Sequence, residues 1–98
     1  MPLESVVQKN MVIKEVHKYF PNAIVLKIDP TNMLSFPDLL VLVGNKWAAL
    51  ETKRYHNSSQ RPNQGYYVGL LNEMSFSAFI HSGNYKEVVH DMARSFAS

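Results

Sequence analysis

The chain has no cysteine, so neither a disulfide nor a thiolate metal site can form. Any metal held by these side chains must take oxygen or imidazole ligands. His17, His56, His81 and His90 stand at no ligand spacing, which leaves oxygen. Long apolar runs are also missing: the longest, Leu39 to Val43, is the length of a buried strand and far short of the roughly 20 residues a membrane helix needs. The start, Met1-Pro2-Leu3-Glu4, lacks the basic and apolar stretches of a signal peptide. These absences together suit an intracellular, cytoplasmic protein. Charge of one sign is scarce too. Ten Lys and Arg against eight Asp and Glu leave +2, so net charge alone announces no nucleic-acid partner.

What is present describes one globular domain spanning residues 1–98. Hydrophobic residues make up 46% of the chain and charged ones 18%, enough apolar matter for a single core. Leu3, Val6, Val7, Ile13, Val16 and Phe20 recur at helical steps, with Lys9, Lys14 and Lys18 between them, and predict an amphipathic helix over 3–20. Pro21-Asn22 ends it. Strands are predicted over 23–28, 37–43, 46–52 and 76–80, and helices over 61–73 and 85–96. The order α-β-β-β-α-β-α belongs to the α/β class, a mixed sheet flanked by helices.

Gly44-Asn45 supplies the positive φ values of a two-residue hairpin turn. Counting outward from that turn sets Asp38 opposite Glu51. Directly opposed side chains share a face about 4.5–5.5 Å apart, and like charges so placed destabilise a sheet. Alternation returns Lys53 to the same face, beyond Leu42, Trp47, Leu40 and Ala49. The opposite face carries Leu39, Val41, Val43, Ala48 and Leu50. A strand pair apolar on both faces is buried on both sides, and charges at its end are costly unless used. A hard dication between two carboxylates, with water and a substrate phosphate completing its shell, would use them. A structural salt bridge among Asp38, Glu51 and Lys53 is equally open from spacing alone. Lys53, Arg54, His56 and Arg61 make the region after Glu51 basic, as phosphate contacts would require.

Pro37-Asp38, twelve intervening residues, then Glu51-Thr52-Lys53 resembles the signature of the PD-(D/E)xK nuclease superfamily. The wider pattern is similar to its VRR-NUC branch, the virus-type replication-repair nucleases, and to small phage Holliday-junction resolvases. In that branch an early helix begins with a glutamate and carries a glutamine one turn on, matched by Glu4 and Gln8. Another glutamine opens the helix after the lysine strand, matched by Gln64. The resemblance implies a restriction-endonuclease-like core with the last helix as an addition. It implies that Glu4, Asp38, Glu51 and the Thr52 carbonyl bind Mg2+ or Mn2+. Asp38, Glu51, Lys53 and Gln64 would then serve catalysis, and Gln8, Arg54, His56 and Arg61 would contact the nucleic acid. Glu15, three helical turns and about 16 Å from Glu4, competes for the first-helix role; Glu4 is preferred for its spacing to Asp38 and its nearness to Gln8. The branch usually has a glycine after the middle helix, where this chain reads Glu73-Met74-Ser75.

The activity so implied is metal-dependent cleavage of DNA phosphodiester bonds, extending to four-way-junction resolution in replication, recombination or repair. Two symmetric cuts need two sites, so a homodimer is expected. The alternatives are a nucleic-acid-binding module of this fold without chemistry, and a small regulatory protein whose carboxylates merely bridge Lys53 and Arg54.

Overall fold

A computed structural model describes residue 3 and residues 6–29, 35–54 and 63–98, the side chain of Lys9 excepted. Helix α1 runs as a π-helical segment over Val7–Val12 and as an α-helix over Ile13–Tyr19. Three strands follow, β1 (Ile24–Lys27), β2 (Leu39–Val43) and β3 (Lys46–Thr52). Helix α2 (Gln64–Met74), strand β4 (Phe76–Ile80) and helix α3 (Tyr85–Ala97) complete the order. The strands form one mixed sheet in the sequence β1-β2-β3-β4: β1, β2 and β3 are antiparallel neighbours, and β4 lies parallel to β3. The fold is thus α/β, with a four-stranded mixed sheet and three helices.

The hairpin register is the one the turn predicts, Leu42 pairing with Trp47 and Leu39 with Leu50. The turn itself differs in one respect. Gly44 has φ +59°, but Asn45 does not enter the left-handed region, the pattern of a type II′ rather than a type I′ turn. Both types keep the same two-residue loop, so the register is unaffected.

One face of the sheet carries the core. Leu39, Val41, Ala48, Leu50 and Ile80 are fully buried there against Val7, Val12 and Val16 of α1 and Val89 and Met92 of α3. Leu3, expected on the inward face of the first helix, is 59% exposed, and Val12 takes a core place instead.

Helix α2 covers the opposite face over β3 and β4 only. Beside it, Ile24 and Leu26 on edge strand β1 are 56% and 46% exposed, facing the same way as the half-buried Leu40, Leu42 and Trp47. The exit from α2 needs no glycine. Ser75 leaves the helix at negative φ (−154°), donating its N–H to the Leu71 carbonyl and its hydroxyl to the Trp47 carbonyl. Asn72 Oδ1 then accepts the Ser77 N–H at 3.1 Å, tying the helix end to β4.

Among the described residues, no helix is long and apolar enough to cross a membrane.

Candidate nuclease site

The ladder of β2 and β3 ends at Leu39 and Leu50, and Asp38 and Glu51 are the next residues outward on each strand. Asp38 still belongs to the sheet edge through its carbonyl, which accepts the Ile28 N–H at 2.8 Å. Its side chain takes over where the backbone ladder stops: Oδ1 accepts the Thr52 N–H at 2.9 Å. Oδ2 accepts the Gln8 side-chain amide at 2.6 Å, an N–H from helix α1. The half-buried carboxylate is therefore gripped from both the hairpin and the first helix.

Glu51 and Lys53 point to the other face of the sheet, under the start of α2. The chain enters α2 through Asn63, whose φ of +69° is left-handed; asparagine tolerates this region better than most residues. Gln64 follows as the first helical residue and is 1% exposed. Its Oε1 accepts a hydrogen bond from Lys53 Nζ at 2.7 Å, and its Nε2 donates to Glu51 Oε2 at 2.9 Å. Lys53 Nζ lies 3.8 Å from the same Glu51 oxygen. Glu51 and Lys53 are only 6% and 7% exposed, so the pair is held by hydrogen-bonded partners rather than by water. Such partnering offsets the cost of burying two charges. The ammonium also sits 5.9 Å from the centroid of Phe79, the β4 residue paired with Glu51, within the range of cation–π attraction.

Thr52, between them, faces the core and is fully buried. Among the described residues its hydroxyl has no hydrogen-bond partner. Its N–H goes to Asp38, so its structural contribution to the cluster comes through the backbone.

Gln8, Asp38 and the Thr52 N–H thus form one hydrogen-bonded group at the sheet end, and Glu51, Gln64 and Lys53 form a second, the two joined through the backbone of residues 51–53. Arg54 is exposed next to them, its carbonyl 3.5 Å from the Ser82 hydroxyl. Glu4, His56 and Arg61 lie outside the described residues. Glu15, the competitor of Glu4, is buried and ion-paired with Lys18 at 3.4 Å, one turn on along α1.

Among the described residues no three acids or histidines converge. Asp38, Glu51 and the Thr52 carbonyl are all oxygen donors, the chemistry magnesium and manganese take, and Mg2+ is commonly held by one or two carboxylates with water and phosphate. A carboxylate has about four lone-pair sites, so the N–H groups on Asp38 are compatible with a cation on the same side chain. The residues fit the ion.

Two features of the cluster have no counterpart in the sequence reading. One is the Phe79 ring beneath Lys53, recoverable only from the parallel register of β3 and β4. The other is the Gln8–Asp38 bond, whose one sequence signal is the five-then-four spacing of Val7, Val12 and Val16. No family model, curated protein or solved structure matches the chain.

Proposed function

We propose that this chain is a metal-dependent endonuclease that hydrolyses DNA phosphodiester bonds, with a restriction-endonuclease-like core. The observation that carries the reading is the gathering of Asp38, Glu51 and Lys53 at the end of one hairpin, each locked by a glutamine amide. A buried lysine beside a buried carboxylate is costly to assemble, and its place at a sheet end next to exposed Arg54 suits a phosphate-handling site.

Asp38, Glu51 and the Thr52 carbonyl, together with Glu4, would hold Mg2+ or Mn2+. When bound, the ion neutralises the scissile phosphate, acidifies the attacking water and steadies the leaving oxygen. Lys53 supplies positive charge where negative charge grows on the phosphorus in the transition state, or orients the water. Gln64 keeps that ammonium in place and ties it to Glu51. Arg54 offers the backbone contact that sets the strand in register without reading sequence. The reading extends to a homodimer, since paired cuts need paired sites. The exposed Ile24 and Leu26 on edge strand β1 support it.

A second reading has support in the burial of Glu51 and Lys53: a fold that keeps this network as a structural interlock and binds nucleic acid without cutting it. Plasmid nicking separates the two. Supercoiled DNA incubated with the protein and Mg2+ or Mn2+ is expected to relax and linearise, and a chelator is expected to stop it. DNA left intact in both metals, together with retarded migration of the complex, would favour the second reading.

A further inference from the structure

Helix α1 departs from α geometry where it passes Asp38. Val7–Val12 is π-helical, and π turns are rare insertions found frequently at functional sites. The sequence explains why one forms here. In a regular α-helix Gln8 would stand one turn before Val12 and two before Val16, on the seam those valines bury. Val7 would then lie about 140° from Val12, at 3.6 residues per turn. At about 4.4 residues per turn, the π segment brings Val7 to within about 50° of Val12. Val7, Val12 and Val16 are all fully buried. Gln8 stays beside the seam, half-buried, and delivers its amide to Asp38 Oδ2 at 2.6 Å.

With the Thr52 N–H on Oδ1, the two donors fix the plane of the carboxylate from opposite sides. We infer that Gln8 is a positioning residue acting through Asp38. Its side chain orients the acid rather than touching nucleic acid. The consequence for metal binding rests on the function proposed above; the hold on Asp38 itself does not.

Two variants test this in the metal-free protein. Gln8→Leu removes the amide at similar size. The exchange Val7→Gln with Gln8→Val keeps the composition and places an apolar residue at every seam position of an ordinary α-helix, while sending the amide to the far side of the seam. Because the Thr52 N–H is bonded to the Asp38 side chain, its hydrogen exchange reports how firmly that side chain is held. The Lys53 N–H, bonded to the Ile80 carbonyl at 2.8 Å, is the internal reference. Thr52 exchange is expected to quicken about tenfold in both variants while Lys53 exchange is unchanged. Calorimetric titration with Mn2+ alone should show binding weakened about 10–100-fold, as for other residues that orient metal ligands.

Unchanged Thr52 protection in Gln8→Leu, or in a folded exchange variant, overturns the inference. If the wild type takes up no Mn2+, the proposed function fails, and the Thr52 readout still decides the role of Gln8.

Discussion

Replacing Gln64 with methionine removes an amide but nearly keeps its volume, so packing stays and two hydrogen bonds go. Both bonds involve charged partners, Lys53 Nζ at 2.7 Å and Glu51 Oε2 at 2.9 Å, and the side chain is 1% exposed. Hydrogen bonds to charged groups contribute about 1.5–3 kcal/mol each, so the gross loss is about 3–6 kcal/mol. Part returns as Lys53 and Glu51, already 3.8 Å apart, close on each other. The net loss is then about 2–4 kcal/mol, because the low-dielectric pair regains some attraction but not its hydrogen-bond geometry. For a domain of this size that lowers Tm by roughly 10–20 °C. Urea unfolding followed by circular dichroism measures it, with an unchanged slope showing that the denatured state is unaltered. A loss under about 1 kcal/mol would refute the claim that Gln64 holds this charged pair in the buried state.

Other outcomes follow from the same geometry. Thr52→Val removes a buried hydroxyl that has no partner among the described residues, so the variant should be more stable by about 1–2 kcal/mol and should keep nuclease activity. A drop in its melting temperature would mean the hydroxyl is bonded in solution. Glu4→Ala is expected to abolish tight Mn2+ binding in calorimetry, whereas Glu15→Ala, which loses only the pair with Lys18, should leave it intact; the reverse result would transfer the first-helix role to Glu15. Light scattering should give the mass of a dimer for the wild type and of a monomer for Ile24→Lys with Leu26→Lys. A monomeric wild type would end the homodimer proposal.

The elements that could be read from sequence are those set by local rules. Gly44-Asn45 dictates a two-residue turn, and that turn alone fixes every pairing from Val43–Lys46 to Leu39–Leu50. The bounds of β3 and β4 match the prediction, β3 starting directly after the Gly44-Asn45 turn and β4 being a short aromatic and aliphatic run, Phe76 to Ile80. The approach of Asp38 to Thr52, and of Lys53 to Glu51, follows from the same register. What the sequence did not yield depends on contacts between elements. The π phase of α1 buries Val7 together with Val12 and Val16, and helical periodicity alone assigned Leu3 a buried place that it does not occupy. Gln64 was legible as a site candidate only through resemblance. That it is a buried wedge with both ends of its amide engaged depends on where α2 lands, and hence on the left-handed Asn63 before it.

The central claim is that Asp38 is a ligand for a catalytic metal, and the rate at which a labelled four-way junction is cut in Mg2+ tests it most directly. Asp38→Asn keeps the shape of the side chain and the acceptor for the Thr52 N–H while removing the charge. The account predicts a loss on the order of 10²–10³ in rate with little change in Tm. An Asp38→Asn protein that cuts the junction as fast as the wild type would contradict it.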